Sequence, residues 1–179
     1  MDSINPTSNS LHTFSIITKD LPGVLVRIAL VFARRGYNIE SLAVSPGARP
    51  GFSRMTITSR GAPQNIEQIK RQLAKLIDVV YVTDHHDKAP VEVEIALLKL
   101  RAAPNAREDI LRIAQNFESQ VVNEDDDTVM LRLSGTSREL DDCIAALLPY
   151  GIEESIRSGK IVMDPGAVST VSEALNGAA

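Results

Sequence analysis

Positions 20–25, which read Asp-Leu-Pro-Gly-Val-Leu, combine a carboxylate with a proline and a glycine in a pattern that could bind a small ligand. Residues 13–18 before them are patterned as a buried strand and the residues after them as a helix, so the segment is predicted to join the two. Pro22 suits the first turn of a helix, and Gly23 lets a ligand approach the backbone closely. Asp20 is predicted to cap the helix and adds a carboxylate beside the free N–H groups of its N-terminus. The segment could hold a small anion or a zwitterion, or it could be a plain strand-to-helix turn.

A second segment, residues 35–42, reads Arg-Gly-Tyr-Asn-Ile-Glu-Ser-Leu. Gly36 is predicted to end the same helix, because glycine readily adopts the left-handed conformation that closes a helix. Residues 38–44 are then predicted to form a strand that returns beside the first one. The two segments together outline a ligand pocket that contains no catalytic group.

The chain repeats one order of predicted elements. Apolar periodicity predicts strand, helix, strand, strand, helix, strand in residues 13–82 and again in residues 91–163, where the last strand is long and bent. The pattern predicts an α+β protein of two ferredoxin-like βαββαβ domains. Three of the four helices are predicted to begin with capping boxes, namely Asn65 with Gln68, Asn105 with Glu108, and Thr136 with Glu139. The predicted limits are a flexible N-terminus at 1–10, domains at 11–86 and 91–165, a linker at 87–90 and a flexible tail at 166–179.

Composition argues against several classes of function. The 179 residues carry a net charge of -4, which disfavours nonspecific binding to nucleic acid or to an anionic membrane. Only 4% are aromatic, and Phe14 and Phe52 lack the interleaved basic residues of an RNA-recognition module. Apolar runs are too short to span a membrane, and residues 1–11 lack the apolar segment of a signal peptide. Cys143, the sole cysteine, is predicted to face the core, and the chain is predicted to be cytoplasmic.

Two clusters of titratable residues have simpler explanations than metal binding. His85, His86 and Asp87 are adjacent, so their side chains alternate in direction, and no third ligand has suitable spacing; a solvated linker is predicted. The three aspartates at 125–127 lack the glycine and closing glutamate of a calcium loop and are predicted to be a hairpin tip. The motifs of dinucleotide, P-loop, zinc-protease and serine-hydrolase sites are absent from the sequence. No catalytic residue and no metal ligand is therefore predicted.

The segment at 20–25 resembles the opening of ACT domains, which are the amino-acid-sensing version of the ferredoxin-like fold. The string at 35–42 is similar to the small regulatory subunit of acetolactate (acetohydroxyacid) synthase. So are Ser-Arg-Met-Thr-Ile at 53–57 and Gln-Leu-x-Lys-Leu-x-Asp-Val at 72–79. The resemblance covers residues 11–165, including 91–100 and Ser-Gly-Thr at 134–136 in the second domain, and it identifies the first domain as an ACT domain.

The resemblance implies a regulatory role. The chain would bind a large catalytic subunit that carries thiamine diphosphate, Mg²⁺ and FAD, would raise its activity, and would confer feedback inhibition by valine or a related branched-chain amino acid. It would form a homodimer through side-by-side ACT sheets, with effector sites between the two chains. The implied effector-binding residues are Asp20, Leu21, Pro22, Gly23, Val24 and Leu25 of one chain with Asn38 and Ile39 of the partner subunit.

In the implied site, different groups would bind the carboxylate and the ammonium of the effector. Backbone N–H groups of residues 23–25 would hold the effector carboxylate, while Asp20 and the partner's Asn38 would hold its ammonium group. Many members have asparagine at the position of Asp20, and a carboxylate there would also repel the effector carboxylate. The alternative function is a free-standing amino-acid sensor that acts on another partner, and the string at 35–42 favours the regulatory subunit.

Overall fold

The computed structural model describes residues 10–86 and 89–166, so most of the predicted flexible ends and the first half of the predicted linker lie outside the described residues. These residues form nine strands, four α-helices and one short 3₁₀ helix. In chain order they are β1 (Ser10–Lys19), α1 (Val24–Ala33), β2 (Ser41–Pro46), β3 (Phe52–Gly61), α2 (Pro63–Leu73), β4 (Val79–Asp84), β5 (Val91–Arg101), α3 (Pro104–Asn116), β6 (Gln120–Glu124), β7 (Thr128–Gly135), α4 (Ser137–Leu147), the 3₁₀ helix (Leu148–Tyr150), β8 (Ile152–Arg157) and β9 (Ile161–Met163).

The first sheet has the strand order β2-β3-β1-β4, with every neighbouring pair antiparallel. In the register, Phe14 lies opposite Ile57 and Ile16 lies opposite Met55, which places these side chains on one face. They pack with apolar residues of α1 and α2 into one buried core. The predicted βαββαβ order is thus confirmed for this half of the chain.

Helix α1 begins and ends at glycines with positive φ. Gly23 precedes its first turn with φ of 81°, and Gly36 follows its last turn with φ of 72°. The Gly36 N–H donates to the Ala33 carbonyl at 3.0 Å and the Tyr37 N–H to the Phe32 carbonyl at 3.1 Å, a Schellman closure that bears out the predicted helix end. The predicted helix cap at Asp20 is wrong, because the chain makes a further turn before α1 begins.

The second sheet places β6, β7, β5 and β8 side by side and buries its own core against α3 and α4. The predicted capping box of α4 is confirmed, since Thr136 and Glu139 exchange both hydrogen bonds. Those predicted at Asn65 and Asn105 are wrong: α2 and α3 begin two and one residues earlier, at Pro63 and Pro104. Proline's fixed φ suits a first helical position.

The last predicted strand divides in two. Strand β8 ends at Arg157, and the chain turns through Gly159, with φ of 78°, before β9. Residues 92–161 form one compact unit, and the other unit combines residues 10–86 and 89–91 with residues 162–166. Residues 162–165, which the sequence prediction placed in the second domain, group with the first unit in this division, and the predicted domain limits stay a prediction.

Candidate functional site

The turn between β1 and α1 is fixed by hydrogen bonds to the neighbouring strand region. The Asp20 N–H donates to the Gly51 carbonyl at 2.9 Å, and the Ser53 hydroxyl donates to Asp20 Oδ1 at 2.9 Å. One carboxylate oxygen of Asp20 is thereby oriented, and Oδ2 has no hydrogen-bond partner among the described residues. The exposed side chain of Asp20 is available to a ligand cation.

The start of α1 offers unpaired backbone donors. The Val24 N–H points at the Leu21 carbonyl over a long 3.4 Å, while the N–H groups of Gly23 and Leu25 have no acceptor within the described part of the chain. These groups carry the positive end of the helix dipole. Exposed Leu21 and Leu25 supply apolar surface beside them, whereas the Val24 side chain is buried in the core and contributes only its backbone.

The remaining predicted site residues follow α1. Asn38 is exposed, and its carbonyl accepts a hydrogen bond from the Ser59 hydroxyl at 2.7 Å, which fixes its backbone. Ile39 is half-buried against the first core. A helix of ten residues is about 15 Å long, so Asn38 and the turn at Asp20 lie near opposite ends of α1. A single chain does not bring the two groups together.

His85 belongs to a buried network that the sequence did not reveal. Its Nδ1 lies 2.7 Å from Asp164 Oδ1, and its Nε2 lies 2.9 Å from Ser15 Oγ, which also accepts a hydrogen bond from Arg54 at 3.2 Å. Arg54 donates in addition to the Val162 carbonyl at 2.6 Å. Burial lowers the pKa of the Arg54 guanidinium, and Asp164 opposes that shift. The predicted solvated linker is therefore wrong at His85, which is 3% exposed.

The order Ser15, His85, Asp164 matches that of a hydrolytic triad, yet the arrangement cannot act as one. Ser15 has no exposed surface, so a substrate carbonyl has no path to its hydroxyl, and Arg54 already donates to that oxygen. The network instead links residues 162–164 to the first sheet.

His86, next along the chain, is exposed and stacks on the ring of His12 at 4.1 Å.

Cys143 and Asp125 were also singled out in the sequence. Cys143 is fully buried, as predicted, and burial raises the pKa of its thiol. Asp125 closes the predicted hairpin tip by accepting hydrogen bonds from Thr128, which hold the pKa of its carboxyl below the usual value.

In residues 10–86 and 89–166, no group of three His, Cys, Asp or Glu side chains could hold a metal ion. None of the helices in those ranges is both long and apolar enough to cross a membrane.

Two βαββαβ units, the first with unpaired N–H groups at the turn that opens α1, define a two-domain protein of the ACT class. Residues 14–81 match the family described as the AHAS small subunit-like ACT domain. Residues 93–166 match the family described as the small subunit of acetolactate synthase. The chain therefore belongs to the acetolactate synthase small-subunit family, which confirms the resemblance read from the sequence.

Individual relatives support this assignment over nearly the whole chain. The acetolactate synthase small subunit of Mycolicibacterium smegmatis is 37% identical over 155 residues, which cover 87% of this chain and 91% of that protein. The chloroplastic acetolactate synthase small subunit 2 of Arabidopsis thaliana is 38% identical over 161 residues, covering 89% of this chain and 34% of that protein. The crystal structure of the small subunit of acetolactate synthase from Thermotoga maritima matches with a TM-score of 0.80 at 31% identity, covering 89% of this chain and 99% of that one.

Proposed function

We propose that this chain is the regulatory subunit of an acetolactate synthase. It binds the catalytic large subunit, raises its activity and makes that activity sensitive to valine or a related branched-chain amino acid. Thiamine diphosphate, Mg²⁺ and FAD reside on the large subunit in this proposal, and the present chain supplies no catalytic group. Membership of the small-subunit family and the ligand-ready turn at the start of α1 support the proposal.

The observation that carries the effector site is the pair of unpaired N–H groups at Gly23 and Leu25 beside the free oxygen of Asp20. Such an arrangement suits a zwitterion, because the N–H groups attract a carboxylate and Asp20 attracts an ammonium group. Leu21 and Leu25, which are 52% and 38% exposed, would contact an aliphatic side chain. An amino acid with a branched apolar side chain meets all three requirements.

A homodimer would complete this site. Strand β2 lies at the edge of the first sheet, so its outer side can pair with the same strand of a second copy. Because Asn38 and the turn at Asp20 lie near opposite ends of α1, the second wall of each pocket must come from the partner chain. Asn38 and Ile39 of the partner subunit fill that role in the proposal, and the dimer would carry two equivalent sites.

Reconstitution with the large subunit tests the proposal. Acetolactate formation is measured with the large subunit alone, with the wild-type chain, and with Asn38→Ala, each across a valine titration. We expect the wild-type chain to raise activity and confer inhibition, and Asn38→Ala to raise activity equally while weakening inhibition. The coupling free energy at stake is typically about 1–3 kcal/mol, which corresponds to a shift of roughly 5- to 150-fold in the inhibitory concentration.

Asn123→Ala serves as the matched control, because Asn123 is an exposed asparagine on β6 of the other unit. It should leave both activation and inhibition unchanged. Full valine inhibition with Asn38→Ala would show that the pocket is assigned to the wrong residues. A chain that neither binds nor activates the large subunit would refute the regulatory role itself.

A further inference from the structure

Arg27 lies one turn into α1, and its side chain folds back toward the start of the helix. Its Nη2 donates to Asp78 Oδ2. Asp78 is 7% exposed and is itself fixed to the end of β1, because the Lys19 N–H donates to its carbonyl at 2.8 Å. The guanidinium group is therefore held in place from its far side by a buried carboxylate.

The other terminal nitrogen of Arg27 faces Gly23. Nη1 lies 3.4 Å from the position that a Cβ on Gly23 would occupy, and it has no hydrogen-bond partner among the described residues. The Arg27 side chain is 45% exposed, so this nitrogen is open to a ligand. The guanidinium group of Arg27, with Nη1 unpaired, therefore lies close to the unpaired Gly23 N–H.

Thr18 marks a second unsatisfied group near the same turn. Its side chain is fully buried, and its Oγ1 has no hydrogen-bond partner within the described ranges. The strand register puts Thr18 opposite Ser53, whose hydroxyl binds Asp20. Buried hydroxyl groups are normally paired, but Thr18 has no exposed surface, so a ligand cannot reach this hydroxyl and the proposed contacts are made by Arg27 and the N–H groups alone.

We propose that Arg27, positioned by Asp78, binds the carboxylate of the effector together with the N–H groups that open α1. The inference rests on the proposed function and adds the group that determines selectivity for a free carboxylate. The charged residues of the turn and its contacts are Asp20, Arg27, Asp78 and the exposed Lys19, and Arg49 of the adjoining loop lies over the ring of Phe52, which pairs with Lys19. Since Asp78 is engaged with Nη2, the Nη1 side of Arg27 offsets the repulsion between Asp20 and an incoming carboxylate.

The test compares two ligands that differ only in that carboxylate. Binding of L-valine and of L-valinamide is measured by titration calorimetry on the full-length chain, alone and with the large subunit. The variants are Arg27→Gln, the double variant Arg27→Gln/Asp78→Asn, and the control Arg34→Gln. The double variant removes both charges, so that Asp78 is not left buried and unpaired. Arg34 ends the same helix at its opposite terminus, and its replacement changes the net charge equally.

We expect the wild-type chain to prefer valine strongly over valinamide. Arg27→Gln and the double variant should weaken valine binding by about tenfold or more, the effect of losing a hydrogen bond to a charged group, and should leave valinamide binding nearly unchanged. The valine-to-valinamide ratio should therefore collapse in both variants and persist in Arg34→Gln. A purely structural role for Arg27 would weaken both ligands equally and keep the ratio.

The outcomes separate this inference from the proposed function. If both Arg27 variants bind valine with the wild-type ratio of valine to valinamide affinity, the role of Arg27 is refuted and the effector site is not. Absence of binding of valine, leucine and isoleucine to the wild-type chain in both settings would overturn the effector site and this inference together. Thermal melts of each variant without ligand check that the compared chains are folded.

Discussion

Replacement of His85 by alanine should loosen the first unit and leave the second unit intact. The substitution removes the hydrogen bonds to Ser15 Oγ at 2.9 Å and to Asp164 Oδ1 at 2.7 Å. Asp164 is 22% exposed and can be rehydrated, so its lost bond costs about 1 kcal/mol. Ser15 is fully buried and would lose its His85 partner with no access to water, which costs about 1–3 kcal/mol. The expected loss of stability is therefore about 2–4 kcal/mol.

Hydrogen exchange measured peptide by peptide is the suitable assay, because the two units have separate cores and need not unfold together. In His85→Ala, amide hydrogens of β1, β4 and residues 162–164 should exchange about 30-fold to several hundredfold faster, since about 1.4 kcal/mol corresponds to a factor of ten. Amide hydrogens of α3 and α4 should keep their wild-type rates.

His86→Ala provides the matched control for this experiment. The two residues are adjacent and of one type, but His86 is exposed. Among the described residues its side chain makes one hydrogen bond, to the Leu11 carbonyl at 3.2 Å, and stacks on the His12 ring, while its backbone N–H bond to Asp84 is kept in alanine. Its replacement should change stability by about 0.5 kcal/mol or less. Equal effects of the two substitutions, or equal acceleration in α3 and α4, would refute the view that the His85 network holds residues 162–164 to the first sheet.

Two further predictions concern pH and thiol chemistry. The Thr136 N–H and hydroxyl groups lower the pKa of Glu139 below its usual 4.5, so the capping box stabilises α4 above that pH and is lost as pH falls through the lower folded-state pKa. The protection of α4 amide hydrogens, taken relative to the exchange rate of an unfolded chain at the same pH, should therefore fall in acid, and in Glu139→Gln this fall should disappear. Burial raises the pKa of Cys143 above its usual 9.0, so iodoacetamide should label this thiol at neutral pH only in denaturant. The free energy of unfolding should fall as pH rises above 9.0, because the thiol of the unfolded chain ionises first. Rapid labelling of the folded chain, or an acid dependence of α4 that survives in Glu139→Gln, would contradict these assignments.

Local sequence signals predicted much of the fold. Alternating apolar residues such as Phe14 and Ile16 marked strands, because successive side chains of a strand point to opposite faces. Gly36 correctly marked the end of α1, and Thr136 with Glu139 correctly marked the start of α4. Each signal acts within a few residues of chain, so it can be read without knowledge of the fold.

Short-range signals failed where two of them competed. Asn65 and Asn105 were plausible caps, but Pro63 and Pro104 lie just before them and begin the helices instead. Asp20 was a plausible cap for α1, but its N–H donates to the Gly51 carbonyl and its carboxylate accepts from the Ser53 hydroxyl instead. The effector pocket stays a prediction of the sequence, and the structure adds that its two halves lie near opposite ends of one helix.

Local patterns in the sequence were enough to predict the order of elements, the βαββαβ repeat and the turn that opens α1, because these depend on periodicity and on glycine and proline. The burial of His85 and the grouping of residues 162–164 with the first unit became visible in the folded chain alone. The partners of His85 lie 70 and 79 positions away, at Ser15 and Asp164. Contacts over such separations depend on which strands become neighbours in the sheet, and no pattern within a few residues specifies that order.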